Sequence, residues 1–253
     1  GAYGRGNAGD DAILDAILQE VRSLDPDMPV TVLSKDPAAT RLTYRVRSIH
    51  RSHVLSWRHA MRKSVLYING GGSLIQDVTS RRSLWYYLYN IRSAHALGCR
   101  VQMYGCGIGP VTREKHRRMA ARTLNRCVDV ITLREPDSQA ELAAMGVTKP
   151  RILLTADPAL TLPAAREDET DSVLLRAGIP PHGKYLCFAL RRWPGFEEKA
   201  PAIRAAAAYA YETYGLTPVF LSVEKHQDPG AGRLAAQGLD IPHYFLDDAG
   251  GAG

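Results

Sequence analysis

Cysteine is scarce in this chain: four residues in 253, at Cys99, Cys106, Cys127 and Cys187. They are widely and irregularly spaced and form no C-x-x-C, which argues against a zinc site or a disulfide framework and for a reducing compartment. His50-x-x-His53 lacks further ligands in register and reads as a surface pair, so no metal is expected. No apolar run approaches the ~18 residues of a membrane span. No charged n-region leading into an apolar h-region marks a signal peptide, and the expected location is cytoplasmic. Zinc-finger, basic-zipper and RNP patterns are missing, so no nucleic acid is expected as a partner. Gly70-Gly71-Gly72-Ser73 lacks the G-K-[ST] ending of a phosphate-binding P-loop, and there is no G-x-S-x-G elbow of an α/β-hydrolase.

What is there is an ordinary globular composition, 45% hydrophobic and 23% charged, on a chain long enough for a sizeable core and for more than one domain. Lys plus Arg outnumber Asp plus Glu by 32 to 26, a formal charge of +6. The basic residues cluster at Arg41–Lys63 and Arg113–Arg126. Two explanations stand: solvated helix faces, or attraction to an anionic small molecule or membrane surface.

Apolar periodicity lays out an alternating chain. Ile13, Ala16, Ile17, Val21 and Leu24 share one helical face, started by Asn7 or Asp10. Val30–Leu33 reads as a buried strand, Asp36-Pro37 as a turn, Val46–His50 as a weaker strand and Val54–Lys63 as a basic helix. Ser64–Ile68 is a strand running into Asn69–Ser73, followed by a helix over Ser80–Leu97. Arg100–Tyr104 is a strand ending in the glycine turn Gly105–Pro110, and a basic helix follows over Val111–Cys127. Val128–Leu133 is a strand ending at Arg134, Asp137 or Ser138 caps the next helix, and Arg151–Thr155 ends in Asp157-Pro158. The acidic run Pro163–Ser172 lacks apolar periodicity and reads as a linker. Beyond it, strands Tyr185–Leu190 and Pro218–Ser222 flank an alanine-rich helix over Pro201–Tyr214.

Strands alternating with helices in this rhythm predict parallel sheets. The expectation is an α/β chain of glycosyltransferase-B-like architecture with two Rossmann-like parallel-sheet domains, residues 1–165 and 166–253. The chain opens on a glycine loop with no strand before it and closes on Asp248–Gly253 just after a strand. Both ends are therefore expected to be cut, with the first strand missing and the second domain truncated.

In open parallel sheets ligands collect at the carboxyl ends of strands. There lie Gly70, Gly71, Gly72 and Ser73, the turn Gly105–Gly109, Arg134 and Asp157, with Gln76, Asp77 and Ser80 just downstream. The glycines serve either tight turning, since glycine tolerates positive φ, or close approach of a ligand to the backbone. Gly4-x-Gly6-x-x-Gly9 fits a dinucleotide fingerprint, with Asp36 placed as its ribose acid. Asp10 and Asp11, however, sit where the pyrophosphate would lie, and carboxylates there repel it. A carboxylate at Asp10 suits a sugar hydroxyl, or removal of its proton; plain N-capping remains the other explanation. Arg134 offers a donor fork for carboxylate or phosphate, or an ion pair with Glu135, Asp137 or Glu141. Arg191, in Arg191-Arg192-Trp193-Pro194, either reaches an anion or caps a surface.

Five segments, in order, resemble the polysaccharide pyruvyl transferases, of the CsaB type: Gly1–Leu14, Gly70–Ser80, Gly107–Pro110, Ile131–Ser138 and Thr155–Ala159. The likeness is collinear to about Leu162 and thins afterwards to Ala189–Trp193 and Asp228. It implies transfer of pyruvate from phosphoenolpyruvate to a sugar as a cyclic ketal, typically on N-acetylmannosamine of a lipid-linked cell-wall precursor, where the added charge can anchor surface-layer proteins. No cofactor or metal is implied. The first domain would face the acceptor and the second the donor. Asp10 and Arg134 would be catalytic. Asn7, Asp11, Gly71, Gly72, Ser73, Gln76, Asp77, Ser80, Asp137, Asp157 and Arg191 would bind substrate. The family's Arg-Leu-His motif has no counterpart here, and the chain is expected to stop before it. Peripheral contact with the cytoplasmic membrane face is a further expectation. The competing expectations are a nucleotide-sugar glycosyltransferase, a nicotinamide oxidoreductase and a non-catalytic carbohydrate-binding relative.

Overall fold

The computed structural model describes residues 1–226 and 228–247; the closing Asp248–Gly253 lies outside them. Two α/β units result. The first comprises Gly1–Arg5 and Gly9–Leu162; the second comprises Gly6–Ala8 and the chain from Pro163 onward.

In the first unit, helix α1 (Ala8–Leu24) leads to strand β1 (Thr31–Ser34), α2 (Pro37–Tyr44), β2 (Arg47–His50) and α3 (Val54–Met61). β1 and β2 form a two-stranded parallel sheet. Next come β3 (Leu66–Gly70), β4 (Ser73–Ile75), α4 (Arg81–Ala96), β5 (Arg100–Ile108), α5 (Glu114–Cys127), β6 (Val130–Leu133), α6 (Pro136–Ala144), β7 (Arg151–Leu154) and a short 3-10 turn, Pro158–Thr161. The order β3-β5-β6-β7 is parallel throughout, with β4 continuing the β3 side along the end of β5. Parallel neighbours need crossovers, which is why helices α4, α5 and α6 join β4 to β5, β5 to β6 and β6 to β7.

The core lies between this sheet and its helices. Leu84, Leu88 and Ile91 of α4 and Ala120 and Leu124 of α5 meet Val101, Met103, Ile131 and Leu133, all buried. The spacing of Leu84, Leu88 and Ile91 is one helix face. α1 packs Leu14 and Leu18 against Val32. Its Ile17 and Ile13 press so closely on Gly70 and Gly71 that a Cβ at either would lie 2.4 Å from the isoleucine.

The second unit holds α7 (Glu167–Arg176), β8 (Tyr185–Ala189), α8 (Phe196–Tyr214), β9 (Thr217–Leu221), α9 (Asp228–Ala236) and β10 (Tyr244–Leu246). Its sheet is parallel, ordered β10-β9-β8. Phe188 and Phe245 stack on Phe220 from the two flanking strands, with centroids 5.4 and 5.6 Å away. Residues 6–8 join this unit: the Ala8 N–H donates to Val223 O at 2.9 Å, and the Lys225 N–H to Gly6 O at 3.2 Å.

The α/β architecture with parallel sheets matches the Rossmann-like, glycosyltransferase-B-like class read from the sequence. Four local expectations are corrected. Pro163–Ser172 is not a linker throughout, because its acidic residues Glu167, Asp168 and Glu169 form the first turn of α7, where negative charge favours the helix dipole. Asp36-Pro37 is more than a turn: Asp36 caps α2, its carboxylate accepting the Ala38 and Ala39 N–H groups at 3.1 and 3.0 Å, with Pro37 suited to the first helical position. Gly105 does not end its strand, which runs on to Ile108 because β4 and β6 supply partners there. α6 is entered at Glu135, with Pro136 in its first turn, rather than capped by Asp137 or Ser138.

Candidate functional site

The start of β4, the end of β5 and the residues just after β6 bring three polar side chains over one glycine. A Cβ at Gly107 would lie 2.6 Å from Ser73 Oγ, 2.7 Å from Glu135 Oε1 and 3.5 Å from Arg134 Nη2. Gly107 therefore leaves the space in which these groups meet. Gly105 does a related job, since a Cβ there would lie 2.2 Å from the ring of Pro158. It admits the Asp157-Pro158 corner beside the strand end.

Arg134 is the cation of this cluster. Its Nη1 donates to Asp157 Oδ2 at 2.7 Å and its Nε to Glu135 Oε2 at 3.2 Å. Burial works against the charged guanidinium, but the Asp157 and Glu135 carboxylates outweigh it and push its pKa up. Nη2 has no hydrogen-bond partner among the described residues and is the part of the fork left for a ligand. The Asp157 carboxylate also accepts the Ala159 N–H at 3.0 Å through its other oxygen, so its orientation is fixed.

α6 supports the cluster from one face. Glu135, Ser138 and Glu141 are spaced by three and point the same way. Ser138 Oγ donates to Glu135 Oε1 at 2.8 Å and accepts the Ile108 N–H at 2.7 Å. Glu141 Oε1 accepts the Val111 N–H at 3.2 Å and pairs with Arg117 Nη1 at 2.7 Å. The segment from Gly107 to Val111 is thus held along its length. Glu135 and Ser138 were not picked out as site residues; the signal available was the Arg134-Glu135-Pro136 step from strand end to helix start.

Asp10, in the first turn of α1, accepts the Ala2 N–H at 3.2 Å. It lies near the glycine turn, its Oδ1 3.8 Å from where a Cβ of Gly72 would be. Gly70 and Gly71 face isoleucines of α1, so packing accounts for them, whereas a Cβ at Gly72 would meet Leu74 Cδ2 at 3.5 Å and then Asp10. Tyr44 Oη donates to the Asp11 carbonyl at 3.4 Å.

Other residues named from the sequence are engaged locally. Gln76 folds onto its own turn, its Oε1 accepting the Val78 and Thr79 N–H groups at 2.9 and 3.0 Å. Ser80 caps α4 by accepting the Ser83 N–H. Asp137 is exposed on the first turn of α6. Asp77 is turned inward, its side chain fully buried. It accepts the Thr112 N–H at 2.8 Å, the Thr112 hydroxyl at 2.9 Å, the Arg113 N–H at 3.2 Å and His116 Nδ1 at 2.7 Å. Burial raises its pKa, but these donors win and hold the carboxyl well below the usual carboxylate range. Its place is at the start of α5, whose own cap residue, Arg113, makes no side-chain cap bond.

Asn7 and Arg191 belong to the second unit. Asn7 bridges to Glu224. Arg191 Nε donates at 3.2 Å to buried Asp228, which in turn accepts the Glu224 N–H at 2.7 Å.

The buried thiols take no part. Burial pushes Cys106 up to about 12, far from the thiolate form that reactivity requires. Among the described residues no group of three or more His, Cys, Asp or Glu could hold a metal ion, and no helix is long and apolar enough to cross a membrane.

A family model described as polysaccharide pyruvyl transferase matches residues 7–244. The chain belongs to that family. A search of the curated proteins finds no match. For a polysaccharide pyruvyl transferase, an arginine buttressed by two carboxylates and offering one open nitrogen at a strand end is a means of orienting an anionic oxygen. The dinucleotide fingerprint loses its basis in the same geometry. Gly4 is required because a Cβ would lie 2.2 Å from Ser34 Oγ, and the Asp36 carboxylate is spent on α2.

Proposed function

We propose that the protein transfers pyruvate from phosphoenolpyruvate to two hydroxyls of a sugar, forming a cyclic ketal. Membership of the polysaccharide pyruvyl transferase family is the observation that carries this reading. The convergence of Arg134, Glu135 and Ser73 over Gly107 supports it. In the reaction a proton adds to the methylene carbon of phosphoenolpyruvate and leaves cationic character at its central carbon. One sugar hydroxyl adds there, the bond to the phosphate oxygen breaks, and the second hydroxyl closes the ring. Two hydroxyl protons are released. One balances the proton taken up by the new methyl group, and the other leaves with the inorganic phosphate.

In this proposal Arg134 holds an oxygen of the donor through Nη2, with Asp157 and Glu135 fixing the direction of the fork. Asp10 accepts a hydrogen bond or proton from an acceptor hydroxyl beside Gly72 and Ser73. Asp11 and Asp137 are further substrate contacts in this reading, and Asp77 serves it through the segment it holds. The acceptor is N-acetylmannosamine of a lipid-linked cell-wall precursor. The enzyme works in the cytoplasm without a cofactor, against the membrane face that carries that acceptor.

Phosphate release from phosphoenolpyruvate by the full-length protein, with and without an N-acetylmannosamine-terminated acceptor, tests the proposal. Acceptor-dependent release, together with a ketal on the product by mass spectrometry, is expected. Folded protein that neither binds phosphoenolpyruvate nor releases phosphate with any sugar acceptor would overturn it.

A further inference from the structure

We infer that the first unit carries a separate site for a phosphoryl group, in an open groove at the carboxyl edge of the β1–β2 sheet. The groove encloses about 690 Å³ and is lined by Lys35, Arg41, His50, Ser52, His53 and Ser56, among others. Lys35 directly follows β1 and His50 ends β2, so the groove lies where open parallel sheets receive ligands. It is built from β1, β2, α2 and α3, none of which contributes to the cluster around Arg134.

The groove carries more positive than negative charge, with Lys35 and Arg41 against Asp36. Among the described residues neither Lys35 nor Arg41 forms an ion pair. Arg41 gives one nitrogen to Ser48 O at 3.3 Å and keeps the rest of its fork. The one carboxylate in the lining, Asp36, is turned onto the start of α2 by its two backbone hydrogen bonds. The imidazoles of His50 and His53 lie 5.4 Å apart, centroid to centroid. His50 Nδ1 is 2.6 Å from Ser52 Oγ, which orders that ring. His53 enters α3 without a side-chain cap bond, leaving the positive end of that helix uncompensated beside the groove. Cations, hydroxyls and ring N–H groups around one opening suit a tetrahedral oxyanion, and the Arg fork suits phosphate in particular. Apart from the imidazoles no aromatic ring lines the groove, so a nucleobase would have no stacking platform. The volume exceeds that of phosphate alone and leaves room for a polar group attached to it.

Two ligands bring this chemistry, phosphoenolpyruvate itself or a phosphorylated acceptor, and binding reads them apart without turnover. The full chain is titrated with inorganic pyrophosphate while the imidazole NMR signals of His50 and His53 are followed. Saturable shifts are expected. The double variant Lys35→Ala/Arg41→Ala should weaken binding at least tenfold with an unchanged melting temperature. Arg62→Ala/Lys63→Ala, which removes exposed cations outside the groove, should leave it unaltered. Phosphoenolpyruvate and a sugar diphosphate are then compared by the same signals, and the one whose binding the groove variant weakens is the ligand. Unmoved imidazole signals at low ionic strength, or equal weakening by both double variants, would overturn the inference, because the second result is what diffuse surface charge gives.

Discussion

Asp157 grips Arg134 across two neighbouring strand ends, Oδ2 to Nη1 at 2.7 Å, while the side chains of both stay about a quarter exposed. A pair so placed contributes little stability, so its value lies in direction. The guanidinium is held by two edges, and the third points over Gly107. Arg134→Ala should therefore lower turnover by ~100-fold or more, the scale for losing one oriented donor to developing charge. The fold should lose no more than ~1 kcal/mol. Phosphate release and urea unfolding on the same preparation check this. Unaltered kinetics would remove Arg134 from the reaction.

The two glycines of the β5 end should separate function from fold. Gly107→Ala crowds only the tips of Ser73, Glu135 and Arg134, which can swing away. Expected is a stability loss of ~1 kcal/mol, at the low end for overpacking, with a large fall in turnover as the cluster opens. Gly105→Ala meets the rigid ring of Pro158 and a φ of +58°, so it should cost ~2–4 kcal/mol. Melting temperatures and kinetics of the two variants rank them. The reverse order would mean that Gly107 serves packing alone.

The strand–helix rhythm was legible because burial of parallel strands leaves continuous apolar runs such as Val65–Ile68 and Leu186–Leu190. What escaped depends on contacts distant in sequence. Nothing near Gly105 tells that β4 will pair with the end of β5 and extend it. The acidic start of α7 hides its periodicity, because α7 has no buried residue. Arg134 and Asp157 were visible as strand-end residues, and Glu135 only as a neighbour. The sequence places Asp77 beside the glycine turn, yet its burial depends on four donors from residues 112–116.

Asp10, the third residue of α1, poses a choice between support of the helix start and chemistry that Asp10→Asn resolves. Losing one negative charge in the first turn of α1 costs only ~0.3–1 kcal/mol. If the carboxylate takes a proton from the acceptor, turnover should fall ~100-fold or more, the lower range for general-base loss. Binding of phosphoenolpyruvate should be unchanged, because Asp10 serves the other substrate. Full activity in the variant would leave Asp10 a structural residue. Equilibrium binding of the donor, measured apart from turnover, shows which substrate the loss concerns.

Asp77→Asn should act on stability with a defined pH signature. The folded carboxyl is held well below the ordinary carboxylate range, despite its burial, by the donors of Thr112, Arg113 and His116. In the unfolded chain it titrates near ~3.9. A depressed folded pKa contributes stability that is fully present above the unfolded value and is lost as pH falls through the folded one. An amide in its place turns N–H groups toward donors and leaves a buried mismatch, worth ~2–4 kcal/mol at neutral pH. The gap between wild type and variant should thus be level from about pH 8 to 5 and close progressively below about pH 4. Urea unfolding at pH 7, 5, 3 and 2 measures it. A gap that stayed constant to pH 2 would mean that the carboxylate charge does not hold the start of α5. If instead the Michaelis constant for the acceptor rose with stability untouched, Asp77 would be a substrate ligand rather than the anchor of that helix.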